Sequence, residues 1–187
     1  MNAEGMTESG LPDPVQSTQL SPAALAEILN RLDVAYVYAD GRTTHQVLPE
    51  PATLLASLSA SSEARLRTAL IPLLLRHPEF AQEAASVANR LPDLARTAFV
   101  CYYSAAVLLQ RKHASRLAAM GFKPWPLPHL FSVELELSDV SDPDEALRYL
   151  AARHRVLSGQ AINWLGTYEH AAERWMRHME KQQAWAA

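Results

Sequence analysis

From residue 52 onward, large apolar residues recur at steps of three and four, the spacing of helices with one face turned to a core. A short helix is expected over "PATLLASL". In "SSEARLRTALIPLLLRHPE", Leu66, Leu70, Leu73 and Leu74 form one stripe behind a Ser61 or Ser62 cap. Pro72 falls inside that stripe. It lacks an amide hydrogen and its ring meets the carbonyl four residues back, so this helix should bend or divide. Pro78 restarts the chain as "PEFAQEAASVANRL". Pro92 then opens "PDLARTAFVCYYSAAVLLQRKHASRLAAM", whose middle is apolar on nearly every face. Such a segment belongs among other helices, and the central helix is expected over residues 93–119. "SDPDEALRYLAARHRVLSG" carries Asp142 as cap, Pro143 at the first helical position, Glu145 to complete a capping box and Gly159 as the stop.

The last helix should begin near Asn163. Its Trp164, Tyr168, Ala171, Ala172, Trp175 and Met179 fall on one stripe, which marks the aromatics as packing groups. At the other end, Ser21 and Pro22 start a helix with Leu25, Ile28, Leu29 and Leu32 on one face. "VAYVYADGRTTHQVL" follows. Val34, Tyr36 and Tyr38 alternate with smaller residues, and Asp40-Gly41 sits where a two-residue hairpin turn belongs. Residues 1–19 hold few large apolar groups, too few to offset the entropy of ordering them. The pattern therefore predicts an all-α fold, a helical bundle of five to seven helices with one small N-terminal β-hairpin. Residues 1–19 are a tail, 20–49 a helix-plus-hairpin appendage, and 50–187 the bundle domain.

Composition narrows the function classes. The chain has 187 residues, 49% hydrophobic and 20% charged, which suits one domain with a buried core. Net charge is −3, too mild for a dedicated polyanion binder. The first sixty residues carry seven acids against Arg31 and Arg42. A single cysteine, Cys101, excludes an internal disulfide and any multi-cysteine metal site, and it fits a reducing compartment. The N-terminal stretch has no basic and apolar leader pattern. The longest uncharged apolar run, "TAFVCYYSAAVLLQ", is shorter than the ~18–20 residues of a membrane span. A soluble cytoplasmic protein is expected, with no membrane partner.

Few residues group in ways that imply chemistry. His170 and His178 lie eight residues apart, about 12 Å along a helix, too far to share one ion. No metal site and no cofactor is expected. Cys101 sits in apolar "FVCYY", which disfavours the reactive thiolate. There is no glycine-rich phosphate loop and no Gly-x-Ser-x-Gly elbow.

The stretch "RYLAARH", Arg148 to His154, resembles the Arg–His pair of the HEPN-domain ribonucleases, which are helical bundles. That resemblance covers one short motif and the general helicity. It implies a pair that bonds a scissile phosphate and moves protons. On one regular helix the two side chains point about 120° apart. His154 also aligns with Leu147, Leu150 and Leu157, the pattern of a packing histidine. If the helix ends converge, Arg111, Lys112 and Arg116 with Arg153 and Arg155 would form a basic patch for nucleic acid.

The remaining candidates are contact groups. Tyr36 and Tyr38 sit on the hairpin, whose edge would be unpaired. Trp125 sits in "KPWPLPHLF", where three alternating prolines hold the backbone extended. Trp185 lies near the C-terminus. The expected function is a non-enzymatic cytoplasmic protein–protein interaction module: an adaptor, an antitoxin-like partner or a subunit of a larger assembly. A homodimer is compatible with this. The alternative is an RNA-acting nuclease or nucleic-acid binder using Arg148 and His154. A third expectation is a small-ligand pocket lined by Tyr102, Tyr103, Trp164 and Tyr168.

Overall fold

Caps and prolines decide where the helices begin. The computed structural model describes residues 20–34, 47–122 and 125–186, and the regular structure among them is helical throughout. In chain order the segments are α1 (Pro22–Arg31), α2 (Pro51–Ala60), α3 (Ala64–Thr68), α4 (Leu70–Arg76), α5 (Ala84–Arg90), α6 (Asp93–Lys112), α7 (Ala114–Ala119), α8 (Pro143–Ser158) and α9 (Trp164–Ala186). A 3-10 helix, Pro78–Glu83, joins α4 to α5. Ser21 Oγ accepts the Ala24 amide at the start of α1. Asp142 Oδ2 accepts the Glu145 amide at 2.9 Å ahead of α8. Asn163 Oδ1 accepts the Gly166 amide at 3.0 Å ahead of α9.

The all-α architecture stands, but the helical segments outnumber the five to seven expected. The run containing Pro72 is divided between α3 and α4. Pro72 has no N–H for the Thr68 carbonyl and its ring crowds that carbonyl, so α3 ends at Thr68. Neither Ser61 nor Ser62 caps α3. Glu63 precedes its first turn, and Ser61 Oγ accepts the Glu63 amide in a tight local turn instead. The central helix does not run unbroken over residues 93–119. The His113 backbone leaves the helical region (φ −103°, ψ 19°), which separates α6 from α7. Neither proline nor glycine lies there, so the sequence carries no mark of this break.

The core gathers around α6, which packs against α4, α8 and α9. Phe99 through Leu109 are all buried, as a helix that is apolar all round requires. α9 delivers its expected stripe: Trp164, Tyr168, Ala172, Trp175 and Met179 are buried. Residues 20–34 put Leu25, Ile28, Leu29 and Val34 into the common core. The hairpin, with Tyr36 and Tyr38, and the 1–19 tail lie outside the described residues. No helix among the described residues is long and apolar enough to cross a membrane.

Candidate functional site

At the C-terminal half of α8, four rings meet. His154 follows Leu147 and Leu150 on the inward face of α8, and all three are buried. α6 supplies Tyr102, and α9 supplies Trp164 and Tyr168 one turn apart. The His154 ring stacks on Trp164, with centroids 3.7 Å apart and planes 17° apart. Its Nδ1 lies 2.7 Å from the Tyr168 hydroxyl. Tyr102 meets His154 edge-on at 5.6 Å and Tyr168 edge-on at 6.0 Å. Such packing is favourable for the ring quadrupoles. It leaves His154 only 1% exposed. Burial, helped by the nearby Arg67 charge, pushes the His154 pKa down to about 4. Burial also raises the Tyr168 hydroxyl far above its ordinary value. Both groups are therefore neutral at pH 7.

A cleft of about 530 Å³ opens beside this cluster. Tyr102, His154 and Trp164 line it from within. Arg67, Ser158 and the first turns of α6, including the 81% exposed Leu94, form its walls. Arg67 is fixed by donating from Nη1 to the Ser61 carbonyl at 2.6 Å.

The structure does not unite the sequence-predicted catalytic pair. Arg148 is exposed, whereas His154 is enclosed by rings on the inner face of the same helix. Arg148 instead adds to the positive charge near Asp144. Chiefly through Lys112, that charge holds the Asp144 carboxyl below its usual range.

The basic helix ends are largely occupied. Lys112 pairs with Asp144 at 2.5 Å and Glu169 at 2.8 Å. Arg116 pairs with Glu173 and Glu180. Arg153 pairs with Glu136 at 2.8 Å, and Arg111 donates to the Ser141 carbonyl at 2.9 Å. Arg155 is exposed. Acids interleaved along the sequence thus neutralise much of the expected patch.

Cys101 is fully buried, and burial pushes its thiol up to about 12, so it is not a nucleophile at neutral pH. No group of three or more His, Cys, Asp and Glu side chains placed to hold a metal ion occurs among the described residues. Of the four aromatics expected to line a pocket, Tyr102 and Trp164 do so. Tyr103 instead donates its hydroxyl to the Pro128 carbonyl at 3.0 Å, and Tyr168 is bonded to His154.

The proline segment is held at several points. Gln110 on α6 clamps it with both ends of its amide. Its Nε2 donates to the Trp125 carbonyl at 3.0 Å, and its Oε1 accepts the Leu127 amide at 2.8 Å. Leu127 and Phe131 are buried, the latter edge-on to Phe99 and Tyr103. Trp125 itself remains 55% exposed, with Leu130 and Val133 also exposed. Trp185, near the end of α9, is 90% exposed. Sequence reasoning missed Gln110 and Arg67. Neither belongs to a motif, and only the fold shows which carbonyl or amide each one meets. Compared with protein families, curated proteins and solved structures, the chain matches none.

Proposed function

We propose that this protein is a non-enzymatic cytoplasmic interaction module, an adaptor or assembly subunit that docks a protein partner through the Trp125 loop. The supporting observation is that this loop is fixed while its largest side chain is not covered. Gln110, Tyr103, Leu127 and Phe131 hold the backbone in place. Trp125, Leu130 and Val133 face outward. A loop already ordered loses little entropy on binding, and an exposed tryptophan is the kind of anchor that fills a partner's pocket. The ion pairs nearby, Arg96 with Glu134 and Arg153 with Glu136, are balanced, so recognition is apolar. Trp185 is a second contact candidate. The nucleolytic alternative has less support, because Arg148 and His154 lie on different faces of α8.

Tagged wild-type protein and the Trp125→Ala and Val156→Ser variants would be used for pull-downs from the native host. Captured proteins would be identified by mass spectrometry and the absorbance ratio at 260 and 280 nm recorded. Trp125→Ala should lose one stoichiometric protein that wild type and Val156→Ser retain. The purified partner should then bind wild type roughly 30-fold or more tightly than Trp125→Ala, the scale of a hot-spot residue. Equal recovery by all three proteins overturns the docking role of Trp125. Co-purifying RNA in place of a protein overturns the module as a whole.

A further inference from the structure

We propose that the cleft beside His154 binds a small organic anion with an apolar body, of the monocarboxylate class, with its carboxylate held between Arg67, the N-terminus of α6 and the Trp164 indole. Three independent features line this cleft. First, α6 is a 20-residue helix whose N-cap is Pro92, and no side chain caps it. Its first backbone bond runs from the Arg96 amide to the Pro92 carbonyl. The preceding amides form the positive end of a long helix and suit an anion. Second, Trp164 is 95% buried in the cleft wall, and its Nε1–H has no acceptor. A buried donor left unpaired is costly, and a ligand oxygen would satisfy it. Third, Arg67 lies in the wall with one nitrogen committed to the Ser61 carbonyl, which fixes the guanidinium while its other N–H groups remain for a carboxylate.

The rest of the lining suits an apolar body. Tyr102 and Trp164 present ring surface, and Leu94, Ala95 and Ala98 present aliphatic surface. The volume is within the roughly 300–1,000 Å³ typical of small-ligand sites. Asp93 is the one carboxylate in the lining, exposed at the mouth in the first turn of α6. It disfavours anions that carry several charges and so selects a single carboxylate seated toward Arg67. His154 and Tyr168 use their facing polar atoms on each other, so the site binds without a titrating base.

The test is calorimetric titration of the full chain with benzoate as probe. Benzyl alcohol shares the ring without the charge, and inorganic phosphate shares the charge without the ring. Benzoate should bind saturably at one site, with both comparators at least about tenfold weaker. Arg67→Gln should weaken benzoate by roughly tenfold or more, the effect of losing a charge-assisted hydrogen bond. Leu94→Glu is a second variant that keeps the fold. Its side chain is exposed, and an acid in the first turn of a helix is favourable, yet it sets a negative charge at the rim. It should also weaken benzoate, several-fold, with an unchanged or raised melting temperature. Absence of saturable benzoate binding overturns the proposal. So does phosphate binding as tightly as benzoate, or an affinity that neither variant changes.

Discussion

His154 lies face-on to Trp164 and shares a hydrogen bond with Tyr168, so its imidazole occupies a place where a charge would have no solvent. The consequence is a pH-dependent stability. An unfolded chain takes up the histidine proton near pH ~6.5, whereas the folded protein does so only near about 4. Above pH ~6.5 both states are neutral there, and the packing contribution is complete. As pH falls from there toward 4, the unfolded state gains a proton that the folded state refuses, and stability drops. Below pH 4 this residue causes no further loss. The whole drop is on the order of 3 kcal/mol. Urea midpoints measured at pH 7 and pH 5 should therefore differ more for wild type than for His154→Asn. Equal pH slopes in the two proteins would show that the buried imidazole is not the cause.

Helices show a division between what neighbouring residues dictate and what distant ones do. Ser21 and Asp142 cap as their sequence positions suggest, and Asn163 caps α9 in the same way, because a cap needs only residues three apart. Pro72 divides its helix for an equally local reason. The end of α1 was not legible. Asp33 takes the left-handed conformation (φ 56°) that glycine usually fills, and the Val34 amide closes the turn onto the Leu29 carbonyl at 2.9 Å. The break at His113 was hidden as well. The residues flanking it are tied to acids far along the chain. Arg116 reaches Glu173 and Glu180, 57 and 64 residues away, and so joins α7 to α9. For the candidate site, the aromatic stripe of α9 was readable and the cleft beside it was not, since Arg67 meets it from α3. Arg116 holds the Glu173 and Glu180 carboxyls below their usual range, so this joint is lost as pH falls through those lowered values. These side chains are about a third exposed, which limits Arg116→Met to a cost of about 1 kcal/mol. Denaturation in low and high salt should show the gap between wild type and variant closing as salt rises. A gap unchanged by salt would assign the loss to packing of the arginine stem rather than to its charge.

At the scale of the whole molecule, the open question is where the folded unit begins. Residues 20–34 do more than rest on the bundle. Leu25, Ile28, Leu29 and Val34 are buried in the same core as α6. Polar groups elsewhere also depend on the end of α1. The Trp175 Nε1–H donates to the Asp33 carbonyl at 3.2 Å, and the His77 Nε2–H donates to the Leu32 carbonyl at 2.9 Å. Arg76 pairs with Asp33 at 3.0 Å. Removing α1 would uncover the apolar faces it covers and leave two partly buried donors without their acceptors. Four large side chains at about 1.5–3 kcal/mol each approach the 5–15 kcal/mol that holds a typical domain together. Deleting residues 1–34 should therefore abolish the cooperative thermal transition or lower its midpoint by more than about 10 °C. Deleting residues 1–19 should leave the midpoint within about 2 °C, since that stretch holds few large apolar groups. Circular dichroism melts of both truncations distinguish the outcomes. A native-like transition after removal of 1–34 would mean that residues 35–187 fold without α1 and that α1 is a detachable arm. Unfolding would make residues 20–34 part of the folded unit, and partner binding by the Trp125 loop should then be tested only with α1 in place.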